Sequence, residues 1–176
     1  MRNFVILSGC SGGGKSTLLA ELGRRGHLIV EEPGRRIVAE ALAGDGATLP
    51  WVDMAAFARR AIEMALADRK AMCAQTGLVF FDRGLLDAIA GLAHATGNAT
   101  LPREALTCRF NRQVFMTPPW PAIYRNDPER RHGLEDGIAE YERLMAFYPR
   151  LGYSPVVLPK TDVAARADFV LTALGA

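Results

Sequence analysis

Gly9, Gly14, Lys15 and Ser16 stand at the spacing G-x-x-x-x-G-K-[ST], a pattern whose chemistry is the gripping of a phosphate tail. The glycines Gly9, Gly12, Gly13 and Gly14 would let successive backbone N–H groups face phosphate oxygens that a side chain would block. The helix beginning near Lys15, with Thr17 in its first turn, would add its positive end. Lys15 would reach the β- and γ-phosphates, and Ser16 would offer its hydroxyl to Mg²⁺. The plain alternative is a glycine-rich turn that a lysine happens to follow. A shuffled chain of this composition would match the motif with a chance of roughly 0.002. Of the 21 basic residues 18 are arginine, so a lysine here departs from the chain's habit, and an arginine fork would not fit a pocket shaped for an ammonium.

Phosphoryl transfer needs more than a cradle. A metal must be held near the phosphates, positive charge must face the equatorial oxygens, and a group must position the attacking oxygen. Asp82 follows an apolar run and would hold Mg²⁺ or its water; its other role would be a helix N-cap. Arg83 would contact the acceptor or its phosphate, or pair with a carboxylate. Glu32 would accept a proton from an attacking hydroxyl, or stand as a solvated surface glutamate. Arg125, Arg130 and Arg131 would close over the nucleotide and stabilise the transferring charge, with an ordinary charged loop as the alternative. Trp120 and Tyr124 would stack a base or anchor their loop. His27, His94 and His132 show no triad or ligand spacing.

These residues need a frame that gathers them. Phe4 to Leu7 and Leu78 to Phe81 are continuous apolar runs, as in strands covered on both faces. Shorter strands are predicted at His27–Val30, Gln113–Met116 and Val156–Leu158. Between them lie predicted helices at Lys15–Arg25, Ile37–Leu42, Trp51–Gln75 with Pro50 in its first turn, Leu85–Ala95, Pro102–Arg109, Leu134–Leu151 and Asp162–Leu174. Met54, Phe57, Ala61 and Met64 or Ala65 read as the inward face of the third of these. Thr161 or Asp162 would cap the last. Strands alternating with helices imply an α/β fold, a parallel sheet covered on both sides. Ligands bind at the carboxyl ends of such strands, where the glycine-rich turn, Glu31-Glu32-Pro33, Asp82-Arg83 and the proline- and arginine-rich segment all fall. The segment of about 117–133 reads as a LID-like flap.

At 176 residues, with 49% hydrophobic and 23% charged residues, the chain suits a single domain spanning 1–176. A net charge of +2 is too small to argue for nucleic acid, and no apolar run reaches the roughly 18 residues of a membrane span. No secretory signal is seen, so a cytoplasmic location is the default expectation. Cys10, Cys73 and Cys108 are odd in number and lack metal-ligand spacing.

The segments GCSGGGKST at 9–17, EEPGRR at 31–36, FFDRG at 80–84 and YERLMAFYPRLGYSPVVLP at 141–159 together resemble the small bacterial P-loop kinases and predicted ATPases related to the ribosylnicotinamide kinase domain, a branch near the nucleoside and nucleotide kinases. The resemblance implies a three-layer P-loop fold with strand order 2-3-1-4-5 and Lys160 to Asp162 near adenine. It also implies that Glu32, in Glu32-Pro33, acts on the acceptor hydroxyl, and that Asp82-Arg83 matches an acidic-Arg-Ser triplet in which Gly84 replaces the serine. The function so implied is transfer of the γ-phosphate of ATP, with Mg²⁺, to a nucleoside or nucleoside-like acceptor. A nucleoside monophosphate kinase is the nearest alternative. A P-loop ATPase or regulatory module is another, but no N-K-x-D motif occurs and Arg83 stands where a motor ATPase would carry glutamate.

Overall fold

The computed structural model describes residues 3–98, 103, 107–124 and 133–176. Five strands, β1 (Phe4–Gly9), β2 (Leu28–Val30), β3 (Val79–Asp82), β4 (Gln113–Thr117) and β5 (Ser154–Val157), form one parallel sheet in the order β2-β3-β1-β4-β5. The expected order is therefore the observed one. Strand β1 lies at the centre, and every one of its residues is buried, which is why it reads as an unbroken apolar run.

Side chains leave β1 on alternate faces and so seed two cores. Phe4 and Ile6 join Phe81, Val114 and Met116 beneath α3 (Met54–Ala71), α4 (Leu85–Thr96) and α5 (Leu134–Arg150). Val5 and Leu7 join Phe80 and Phe115 beneath α1 (Lys15–Arg24) and α6 (Val163–Leu174). A small satellite of Val38, Ala41 and Leu49, with Phe57 against it, ties α2 (Pro33–Ala43) to α3.

Several boundaries differ from the sequence reading, each for a local reason. Helix α2 begins at Pro33 rather than Ile37, because proline at the first helical position has no N–H to leave unpaired. Helix α3 begins at Met54, after Asp53 rather than after Pro50, since the Asp53 carboxylate accepts from the Ala56 N–H at 2.9 Å and caps it. Of its expected inward face only Ala61 and Ala65 are buried; Met54 is 45% exposed. Strand β3 extends to Asp82, whose Cα pairs with Leu7. Strand β5 begins at Ser154 and tolerates Pro155 because it is an edge strand. Of the expected helix over 102–109, residues 102 and 104–106 lie outside the described residues, and 108–109 are not helical. Asp162 caps α6, accepting from the Ala165 N–H at 2.9 Å. Among the described residues no helix is long and apolar enough to cross a membrane.

Candidate active site

The turn after β1 is held from both sides. Register places Thr117 beside Gly9, where a Cβ on Gly9 (φ +112°) would lie 2.4 Å from the Thr117 carbonyl oxygen; no other residue fits. The Thr117 hydroxyl donates toward the carbonyls of Ser8 and Cys10 at 3.2 and 3.3 Å. The turn ends at Gly14 (φ +82°), and no side chain caps α1 there. The first amides of the helix are thus open to a ligand.

Lys15 begins α1 and is 6% exposed. Its ammonium donates to the carbonyls of Cys10 at 3.1 Å and Gly9 at 3.4 Å. Burial pushes its pKa below the ordinary lysine value and Arg83 adds to that, while Asp82, Glu32 and Glu140 oppose it. The Ser16 hydroxyl donates to Asp82 Oδ2 at 3.2 Å, and Asp82 Oδ1 is buried without a hydrogen-bond partner. Burial pushes the Asp82 carboxyl up, against the pull of Lys15. One orphaned carboxylate oxygen beside a hydroxyl is a hard-oxygen donor set that fits Mg²⁺, which takes one or two protein ligands and completes its shell with phosphate and water. Among the described residues no group of three or more His, Cys, Asp or Glu would hold a metal by itself.

Arg83 is the only non-glycine among the described residues with positive φ, +58°. Its N–H still bonds the Leu7 carbonyl at 2.8 Å, so the chain turns out of the sheet in a conformation that costs about 1 kcal/mol or more. The guanidinium then meets three carboxylates. It forks onto Glu140 with two bonds of 2.8 Å, reaches Glu32 Oε1 from Nε at 3.2 Å, and lies 3.8 Å from Asp87. Burial works against its charge, but Glu140, Glu32 and Asp87 more than offset this and its pKa rises well above the usual value.

Lys15, Ser16, Glu32 and Arg83 all line one cavity of ≈ 990 Å³. Asp82 reaches that cavity through Ser16 rather than lining it. Gly12, Gly14 and Thr17 form part of the wall, and Gly9 and Gly13 sit behind it against Thr117. Thr161 and Asp162 line it as well, while Lys160 does not. Trp120 also lines it and takes the Arg166 guanidinium over its ring at 5.8 Å. Arg125, Arg130 and Arg131 lie outside the described residues.

Four contributors escaped the sequence reading. Glu140 on α5 anchors Arg83. Asp87 on α4 is 9% exposed and accepts from Ser8 and, at 2.7 Å, from the Tyr148 hydroxyl. Arg166 on α6 lines the cavity and donates to the Gly13 and Gly14 carbonyls. The far wall comes from Val38, Trp51, Met54 and Phe57 of the α2–α3 region, so the Met54 and Phe57 stripe faces the cavity as much as the core. A signal was present for two of them: Asp87 and Arg166 are charged residues on the apolar faces of their helices.

The Ser8–Asp87–Tyr148 network yields a stability prediction. Burial raises the folded-state pKa of Asp87 above its unfolded value, so its contribution to folding is full below the unfolded pKa and is lost as pH rises through the folded one. The Tyr148 bond opposes that rise by favouring the carboxylate. Tyr148→Phe should cost roughly 1–3 kcal/mol at neutral pH, and the deficit should shrink as pH falls through the raised folded-state pKa of Asp87 and the carboxylate that the bond favours is lost. Urea unfolding at a series of pH values measures this, and a pH-independent deficit would contradict it.

A family model described as AAA domain matches residues 4–166. Comparison with the curated proteins found no match. Among solved structures, deoxyadenosine kinase from M. mycoides with bound dATP matches at 17% identity and TM-score 0.69, covering 98% of this chain and 100% of that one. The same enzyme with its products dCMP and a flexible dCDP matches at 18% identity and TM-score 0.61, with 98% of each chain covered. Shikimate kinase from Acinetobacter baumannii in complex with shikimate matches at 15% identity and TM-score 0.57, covering 98% and 93%. At such identities the likeness is one of fold, and the shared fold is the five-stranded parallel sheet of the P-loop kinases.

Proposed function

We propose, on the premise that this chain belongs to the AAA-domain family whose model spans residues 4–166, that it is a small-molecule kinase. It transfers the γ-phosphate of ATP to a hydroxyl of a nucleoside or nucleoside-like acceptor. One observation carries the reading: the Glu32 carboxylate lines the same cavity as Lys15, steadied by Arg83 Nε at 3.2 Å. A carboxylate so placed is what a hydroxyl acceptor needs and a monophosphate acceptor, already anionic, does not.

Each residue then has a task. The amides of the turn and the N-terminus of α1 hold the phosphate tail. Lys15 moves its ammonium from the Cys10 and Gly9 carbonyls to the β- and γ-phosphate oxygens. Ser16 and Asp82 would hold Mg²⁺, which when bound supplies positive charge along the phosphates. Glu32 takes the acceptor's hydroxyl proton as the new O–P bond forms, and the bond between the γ-phosphorus and the ADP oxygen breaks, releasing ADP. Arg83 keeps Glu32 aimed, and Val38, Trp51, Met54 and Phe57 offer an apolar wall for a base or ring. The kinases of like fold carry dATP, dCMP or shikimate, which supports a nucleotide donor and a small acceptor. Arg125 and Arg130 would add charge to the transferring phosphate.

Transfer of labelled γ-phosphate in the presence of Mg²⁺ tests this over a panel of nucleosides, nucleoside monophosphates and other small alcohols. Labelled nucleoside monophosphate is the expected product. Label appearing only as inorganic phosphate would assign an ATPase, and label on monophosphates alone would assign a monophosphate kinase.

A further inference from the structure

Arg166 is 3% exposed at the start of the last helix, 152 residues beyond the turn it touches. Its Nη2 donates to the Gly13 carbonyl at 3.1 Å and its Nη1 to the Gly14 carbonyl at 3.4 Å. The Trp120 ring lies under the guanidinium. Asp162 fixes where α6 begins through its cap on Ala165, so the direction of Arg166, one turn on, is set by the helix itself. Burial works against this charge, and its partners among the described residues are two carbonyls and an indole face rather than a carboxylate. Such an arrangement is a costly way to gain stability.

We propose that Arg166 is a positioning residue of the nucleotide site, holding the Gly13 and Gly14 carbonyls outward so that the Gly14 and Lys15 N–H groups point at the phosphates. The reason is peptide geometry. In a planar trans peptide the C=O of one residue and the N–H of the next point in opposite directions. The Gly13 carbonyl shares its plane with the Gly14 N–H, and the Gly14 carbonyl shares its plane with the Lys15 N–H. The Gly14 carbonyl also accepts the first helical bond, from the Leu18 N–H at 3.2 Å, so the helix itself helps to hold the second plane; the first, between two glycines, is freer to rotate than it would be between any other residues, and Arg166 removes that freedom. A cation on the carbonyl oxygens also polarises the same amides and makes them stronger donors. Thr117 does the equivalent work on the first half of the turn, through Ser8 and Cys10.

This role rests on the phosphate-binding reading of the turn, and the test separates the two. Titration calorimetry would compare the whole protein, Arg166→Met and Arg166→Lys against inorganic tripolyphosphate and against ATP, both with Mg²⁺. The expected result is a loss of about 10- to 100-fold in Arg166→Met that is equal for the two ligands. Arg166→Lys should recover part of it, and in the transfer assay KM for ATP should rise while KM for the acceptor stays unchanged. Tripolyphosphate affinity unchanged while ATP affinity falls would place Arg166 at the base instead, and neither changing would remove it from the site; both outcomes overturn the proposal. Should Arg166→Met fail to fold, Arg166→Lys carries the test, keeping the charge but not the two-pronged grip, and should give smaller, equal losses for the two ligands; unequal or absent losses overturn the proposal. A wild-type protein that binds neither ligand overturns the phosphate reading and this role with it.

Discussion

Lys15→Ala should lower phosphoryl transfer by roughly 10³-fold or more and abolish the thermal stabilisation that ATP with Mg²⁺ confers, while the ligand-free protein folds as before. The expectation follows from where the ammonium sits. Lys15 is buried, its charge is disfavoured by that burial and by Arg83, and its hydrogen-bond acceptors are the carbonyls of Gly9 and Cys10. Its pKa is lowered in the folded state, so the unfolded chain binds this proton more tightly and protonated Lys15 subtracts from stability below its folded pKa. The penalty fades as pH rises toward the unfolded value. Removing the amine therefore costs ligand-free stability little, and the melting temperature at neutral pH should stay level or rise. Differential scanning calorimetry with and without nucleotide separates the two effects. Normal ATP affinity and turnover in this variant would refute the assignment of the phosphate site.

Glu32→Gln is the second large effect. The substitution preserves size and leaves an oxygen to accept from Arg83 Nε, and Arg83 retains its fork on Glu140 and its proximity to Asp87. Geometry should survive, and what is lost is the capacity to take a proton. Transfer to a hydroxyl should fall by about 10²–10⁴-fold in kcat, with ATP affinity unchanged. An unchanged rate would move the base elsewhere or favour an acceptor that is already anionic. Glu31 makes an internal control: it is exposed and does not line the cavity, so Glu31→Gln should leave kcat alone.

The order of strands and helices could be read before any coordinates because each signal is local. Apolar runs marked β1 and β3, and polar Thr161 or Asp162 marked the cap of α6, which falls to Asp162. The start of α3 lies at Met54 rather than beside Pro50 because the Asp53 carboxylate caps the helix there. The α3 stripe shows a different limit. Spacing identifies one face of the helix but does not say what that face meets, and Met54, Phe57, Ala58 and Ala61 border the cavity while Ala65 packs in the core. Asp87 is the only acidic residue of α4; its meaning lies in Ser8 and Tyr148, and the chain order hides both.

The sequence alone was enough to place the glycine-rich turn at the end of β1 and to put Glu32 and Arg83 beside it. Nine consecutive residues carry the turn's chemistry, and bond lengths and φ restrictions dictate how near their amides come to one another. Tertiary structure decided everything that needs two distant segments to meet: Arg83 with Glu140 across 57 positions, Ser8 with Asp87 across 79, and Arg166 with Gly13 across 153. Covalent geometry sets the first kind of distance, whereas the second is set by how helices seat on the sheet, which depends on the packing of both cores at once.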